Sequence, residues 1–388
     1  MASARLYLDW NATSPLHPAA REAVLRALDL FGNPNSVHGE GRAARAAIEG
    51  ARRHVAALTG GDPAHVIFTS GATEAANMVL TPDFRMGRTP LPMGHLYYSA
   101  IEHPAVREGG RFAKVDTTEI AVTSDGVVDL DALRSLLEAH DKTSGLPMVA
   151  IMLVNNETGI VQPIKEAAEI VHASGGLLVV DAVQAAGRLA LDINALGADF
   201  MIVSSHKIGG PKGVGALVTR GEVLMPRPLI HGGGQEKGHR SGTENSLAVI
   251  GFGAAAQAAV AEFDARNRAV TQLRDRLENE MRAAAPDVVI YGADGSRVSN
   301  TTFFTLPGLK AETGQIAFDL EGVALSAGSA CSSGKVGESH VLTAMGRDPK
   351  LGALRISLGF STTEDDIDKA VAAFAKIAAR RRPAGEAA

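Results

Sequence analysis

Residues 200–215 read FMIVSSHKIGGPKGVG, and the rest of the chain is organised around them. The apolar run Phe200-Met201-Ile202-Val203 has the length and composition of a buried strand. Ser204-Ser205-His206-Lys207 follows, and the glycines with Pro211 then open a loop. Lys207 therefore stands at the carboxyl end of a buried strand, the edge at which open α/β sheets bind ligands. A lysine there is costly unless it is paired or its amine is neutral. A Schiff base with pyridoxal phosphate (PLP) is one way to keep it. A plain surface lysine just past a strand is the other reading of this tetrapeptide.

Composition narrows the classes. The chain has 388 residues, 45% hydrophobic and 21% charged, enough for two domains or one large α/β domain. A formal net charge of -5, with no basic stripe carrying interleaved aromatics, argues against a nucleic-acid partner. The start, MASARLYLDWNAT, has no charged segment followed by an apolar one, so no signal peptide is expected. No apolar run approaches the roughly 20 residues of a membrane span, and no membrane partner is expected. Cys331 is the single cysteine, which rules out a disulfide within the chain and fits a reducing, cytoplasmic setting. The 12 histidines show no HExxH spacing, so no structural metal is expected.

Around the pivot, strands and helices alternate. Strands are expected at 66–69, 95–100, 115–120, 148–154, 177–180, 200–203 and 216–219, with helices at 15–30, 41–59, 73–80, 129–140 and 164–173. Residues 81–94, rich in Pro, Gly and Met, read as a loop. Seven strands with helical connections imply an α/β fold with a mostly parallel sheet covered on both faces. Residues 244–285 form one long helical stretch, apolar in its first half and charged in its second. A helix leaving one core for another has this character, which places a domain boundary near Glu262. Short strands at 288–291, 301–306, 324–327 and 354–358, with helices near 312–320 and 363–379, suggest a smaller α+β domain.

Several motifs sit at strand ends. Ser70-Gly71-Ala72-Thr73-Glu74 follows a strand and opens a helix; its small residues and helix N-terminus suit a phosphate, or it is an ordinary cap with a returning glutamate. Asp181 ends a buried strand in Val180-Asp181-Ala182-Val183-Gln184 and would satisfy a pyridinium nitrogen or a structural salt bridge. In Asn155-Asn156-Glu157-Thr158-Gly159 either asparagine could reach a ligand or simply shape the turn. His103, in Ile101-Glu102-His103-Pro104, could stack on a ring, transfer protons or serve the loop alone. The run His231-Gly232-Gly233-Gly234 precedes Arg240-Ser241-Gly242-Thr243; with no GxSxG elbow in the chain, a hydrolase reading of HGGG fails. Arg355 lies in an otherwise apolar strand and suits a carboxylate. Cys331, within GSACSSG, has only small neighbours and looks like a nucleophilic thiol on a loop.

Taken in this order, SSHK, VDAVQ, RSGT and GSACSSG resemble the cysteine desulfurases, the NifS/IscS-like group of the class-V aminotransferase family, over nearly the whole chain. The resemblance implies the PLP-dependent transferase fold type I: a large domain at 15–261 with the mostly parallel seven-stranded sheet, and a small α+β domain from 1–14 and 262–388 carrying the cysteine loop. It implies that Lys207 bears PLP, that Asp181 pairs with the pyridine nitrogen, and that Gln184 and Asn156 contact ring substituents. His103 would stack on the ring, while Ala72, Thr73, Ser204 and His206 would hold the phosphate. Thr243 would reach the phosphate of a second subunit, implying a homodimer, and Arg355 with Asn156 would bind the substrate carboxylate. The implied reaction takes L-cysteine to L-alanine and leaves a persulfide on Cys331. The sulfur would pass to an acceptor or scaffold protein for iron–sulfur cluster, thio-cofactor or tRNA biosynthesis, and Cys331 could transiently ligate a cluster. A selenocysteine lyase or another class-V aminotransferase-like PLP enzyme is the alternative, and a degenerate fold that only binds is the rival of another class.

Overall fold

The computed structural model describes residues 5–328 and 338–381; residues 1–4, 329–337 and 382–388 lie outside the described residues, and Cys331 with them. Leu6–Tyr7 (β1) is followed by helices α1 (Pro18–Ala27) and α2 (Gly39–Thr59). Next come β2 (Val66–Thr69), α3 (Ala72–Val79), β3 (Asp83–Met86), β4 (Thr89–Ser99), α4 (Pro104–Arg107), β5 (Thr117–Ile120) and α5 (Leu130–Glu138). The sheet is completed by β6 (Leu146–Met152), α6 (Ile164–Ala173), β7 (Leu177–Asp181), β8 (Phe200–Ser204), β9 (Gly215–Thr219) and β10 (Leu224–Pro226). Helices α7 (Ser246–Ala261) and α8 (Phe263–Ala284) then lead to β11 (Val289–Ile290), β12 (Thr301–Thr305), α9 (Ala311–Leu320), β13 (Val323–Ala324) and β14 (Ser326–Ala327). The described chain closes with α10 (His340–Ala344), β15 (Leu354–Ser357) and α11 (Glu364–Arg380).

All seven strands expected from the sequence lie in one sheet, β5 beside β4 and then β6, β7, β8, β9 and β2. The pairings of β4 with β5 and β6, of β6 with β7 and of β7 with β8 are parallel. Among these seven, only β9 runs against its neighbours, β8 and β2; β3 and β10 extend the same sheet to nine strands by antiparallel pairing. Successive side chains point to opposite faces, and both faces are covered. Val149, Ile151, Val180, Met201 and Val203 pack toward α2, α6 and α7, whereas Met148, Ala150, Val179, Phe200 and Ile202 pack toward α3.

One expectation is corrected here. Residues 81–94 are not a loop but β3 and the first half of β4, paired as a hairpin and extended by β10. Gly87, at φ 59°, occupies the two-residue turn between Met86 and Thr89. Pro90 and Pro92 hid the strand, because they remove ladder donors and break the apolar alternation that marks one.

The 244–285 stretch is two helices. α7 is apolar all round and buried against α1 and α2; a Cβ on Gly253 would fall 2.4 Å from Ala51 Cα, so only glycine permits that crossing. At Glu262 the path turns by 73° into α8, which buries Val270, Leu277 and Met281 elsewhere. Those three join Leu6, Leu8, Phe304, Phe318, Ile356 and Phe374 in a core separate from the two that flank the large sheet. β11, β12, β15 and β14 make a four-stranded antiparallel sheet over this core.

Candidate active site

The carboxyl ends of β6, β7 and β8 open on one side of the sheet, and a cavity of about 530 Å³ lies there. Its wall brings together Ala72, Thr73, His103, Asn156, Asp181, Gln184, Ser204, His206 and Lys207. Residues from β2 through β8, far apart in sequence, therefore face one space. A second cavity of about 440 Å³, walled by the Arg52–Glu236 ion pair, contains none of these residues.

Lys207 ends a single 3-10 turn, Ser205–Lys207, that continues β8. Its Nζ donates to the carbonyls of Asn11 (2.6 Å) and Ala12 (2.8 Å), which hold the amine at the cavity wall. Asp181, the last residue of β7, accepts at Oδ1 from Val183 N–H (2.9 Å). Burial raises its carboxyl to about 6, against the backbone bond and the positive charge of Lys207. Behind it Glu102 is wholly buried and accepts from Met152 N–H, the cross-strand partner of Asp181. Burial and then Asp181 hold the Glu102 carboxyl well above the usual carboxylate range.

His103 caps α4: Nδ1 accepts from Ala105 N–H at 3.1 Å, which places the ring proton on Nε2. Burial, then Lys207 and His340, push its pKa down to about 4, so the ring is neutral at pH 7. His206 contacts Thr13 Oγ1 at 3.1 Å, and burial with Lys207 and Lys212 lowers it to about 4 as well. Gln184 donates from Nε2 to Asn11 O (2.9 Å) and accepts from Arg188 Nη1 (2.8 Å), so its amide has one orientation.

At the opposite end α3 presents its N-terminus to the cavity. Glu74 reaches back to Ser70 N–H (2.8 Å), and Arg240 grips Glu74 at 2.8 Å. No side chain caps the first-turn amides at Gly71, and a Cβ there would meet nothing within 4 Å. These amides, open to the cavity, form an anion cradle.

The asparagine choice is resolved. Asn155 shapes the turn, its Oδ1 accepting from Glu157 N–H (3.0 Å) and Thr158 N–H (2.9 Å), while Asn156 lines the cavity. Arg355 does not line it: the side chain is 1% exposed, Nη2 pairs with Asp9 Oδ1 (2.8 Å) and Nη1 donates to Asn156 O (2.7 Å). Thr243 is exposed and also outside the cavity wall, and Cys331 falls outside the described residues. Glu102 and Glu157 were not singled out from the sequence. Each stands beside a residue that was, but nothing in a run such as NNETG marks which polar group is buried. Glu157 is 2% exposed; burial raises it to about 7, against Ser339 and Arg355. No cluster of metal-ligating side chains occurs among the described residues.

A lysine, a buried aspartate and an amide cradle therefore face one cavity of a mixed α/β sheet, an arrangement suited to a ligand that carries an anionic group. The aminotransferase class-V family model matches residues 6–370, and the chain belongs to that family. It is 38% identical to the IscS-like cysteine desulfurase of Mycobacterium tuberculosis, over 98% of each chain. Among solved structures it resembles the NifS-like protein from Rickettsia africae, with a TM-score of 0.86, 34% identity and coverage of 96% of this chain and 99% of that one. It also resembles SspA in complex with cysteine, with a TM-score of 0.75, 28% identity and coverage of 92% and 99%.

Proposed function

We propose that this protein is a PLP-dependent cysteine desulfurase that converts L-cysteine to L-alanine and takes the sulfur onto Cys331. One observation carries the reading: Lys207, Asp181 and His103 converge on a cavity ending in an amide cradle, in a chain that matches a cysteine desulfurase over 98% of its length. The donor set fits PLP, since the open Gly71 cradle with Thr73, Ser204 and His206 suits a phosphate and Asp181 suits a protonated ring nitrogen. When bound, PLP supplies an electron sink for a substrate carbanion.

The chain's own residues do the rest. Lys207 Nζ holds the cofactor and then moves the proton at the substrate Cα. Neutral His103 would lie over the cofactor ring, and Asn156 and Gln184, in the same cavity wall, would contact its substituents. The Cys331 thiolate attacks the substrate sulfur: a sulfur–sulfur bond forms, the carbon–sulfur bond breaks, and its electron pair stays on substrate Cβ, which is protonated to the methyl of alanine. Arg355, released from Asp9, receives the substrate carboxylate beside Asn156. Residues 15–261 serve as the cofactor domain and 1–14 with 262–388 as the small domain. Exposed Thr243 supports a homodimer in which it reaches the partner's phosphate, and a single cysteine, which can form no disulfide within the chain, supports a cytoplasmic setting. The persulfide passes to a protein acceptor.

The test is Cys331→Ser. It should bind PLP and respond spectrally to L-cysteine yet form no alanine, because a hydroxyl is a poor thiophile. Mass spectrometry of the wild type after L-cysteine, without reductant, should show one added sulfur on the single thiol. Undiminished alanine formation by the serine variant would end the reading.

A further inference from the structure

The chain between Gly328 and Ser339 carries Cys331. Gly328 and Ser339, which bracket that stretch, both come close to one side chain from a distant part of the sequence. Ser339 Oγ donates to Glu157 Oε2 at 2.6 Å, and a Cβ added to Gly328 would lie 2.9 Å from that same oxygen. Each end is also set locally. Gly328 N–H donates to Ala353 O at 2.9 Å, and its Cα side abuts the Phe303 ring, 2.6 Å from an added Cβ. Ser339 caps α10 by accepting from Leu342 N–H at 3.1 Å. The Ser339 cap therefore does not need Glu157, and the buried carboxyl requires another explanation.

Glu157 belongs to the polar turn after β6. Asn155 braces it from within through the Glu157 and Thr158 amides, and Thr158 Oγ1 adds a bond to Asn155 Oδ1 at 3.1 Å. The residue just before it, Asn156, lines the cavity, and its carbonyl is held by Arg355. One rigid turn thus carries a cavity residue on one side and, on the other, the contact shared by both ends of the cysteine segment.

We propose that Glu157 is a positioning residue for sulfur transfer, fixing relative to the cavity the two points at which the Cys331 segment starts and ends. The inference rests on the desulfurase reading. Removing the carboxyl should leave cofactor and substrate binding intact and slow only the step that needs Cys331 in place, since small misplacements of a reacting group are expensive in rate.

The experiment uses the full-length holoenzyme. Three quantities are measured: the visible spectral change on adding L-cysteine, the single-turnover rate of persulfide formation by mass spectrometry, and the rate at which iodoacetamide labels the one thiol. Glu157→Ala should keep the spectral change at wild-type cysteine concentrations, alter the labelling rate, and form persulfide about 10- to 100-fold more slowly. Glu157→Gln, whose amide oxygen still accepts from Ser339, should restore most of the rate. Ser339→Ala removes the same bond without touching the turn, so it carries the test if Glu157→Ala does not fold. Wild-type persulfide rates in either alanine variant, or loss of cysteine binding in proportion to rate, would overturn the inference. Absence of persulfide in the wild type would overturn the desulfurase reading itself, and this inference with it.

Discussion

Asp181 and Glu157 are carboxyls whose titration the fold moves toward neutrality, to about 6 and about 7 from ordinary values of 3.8 and 4.5. A raised carboxyl means that the folded state keeps a proton the unfolded chain has lost. Its contribution is full below the unfolded pKa and is lost as pH rises through the folded one. For Glu157 that window runs from 4.5 to about 7, and at ~1.4 kcal/mol per pH unit its ionised form costs the native state about 3 kcal/mol. Relative to the wild type, the Glu157→Gln apoprotein should gain urea resistance at pH 8 and gain less at pH 5, because the variant has no carboxyl to ionise between 4.5 and about 7. A variant with the wild-type difference between the two pH values would contradict the assignment. Asp181→Asn should retain PLP through the α3 cradle but lose at least about 100-fold in turnover, because an amide cannot hold the ring nitrogen protonated. Absorbance after gel filtration and alanine release measure the two separately.

At the scale of elements, the cradle depends on how closely β9 approaches the loop before α3. A Cβ on Gly215 would lie 2.8 Å from Val203 O and 2.8 Å from the Gly71 carbonyl carbon. All are backbone atoms, so nothing flexible can yield. Gly215→Ala should push the 70–73 segment outward; overpacking of this kind costs about 1–3 kcal/mol. The expected result is PLP binding about tenfold weaker by fluorescence titration, with a lowered melting temperature. Unchanged affinity would show that the cradle does not depend on this approach.

At the scale of the molecule, the long path from α7 through α8 carries the chain from one core to the other, and buried charge fixes where they join. Glu278 in α8 accepts from Arg297 Nη1 and Nη2, each at 2.6 Å, and from the Thr302 hydroxyl at 2.9 Å; the Glu278 and Arg297 side chains are 4% and 6% exposed. Arg297 also bridges to Ile160, at the end of the turn that carries Asn156 and Glu157. Arg297→Met leaves the buried Glu278 carboxylate with the Thr302 hydroxyl and a longer 3.8 Å pairing to half-exposed Arg282, and should cost up to about 3–5 kcal/mol, read as a lower urea midpoint. Adding Glu278→Met should recover much of that loss. A single variant as stable as the wild type would refute this role.

The sequence by itself determined the sheet and the residues at its carboxyl edge. Uninterrupted apolar runs are legible where both faces of a strand are buried, and a lysine, an aspartate and a glycine-rich turn stand out at the ends of such runs. It did not reveal β3 and the start of β4, where prolines interrupt the pattern and pairing depends on distant partners. Nor did it separate Asn155 from Asn156, pair Arg355 with Asp9, or give Glu157 a purpose. Those assignments were made only by the tertiary structure. Hydrogen bonding and desolvation are decided by which groups meet in space, and Glu157 with Ser339, or Asp9 with Arg355, come together only when the small core closes over the turn after β6.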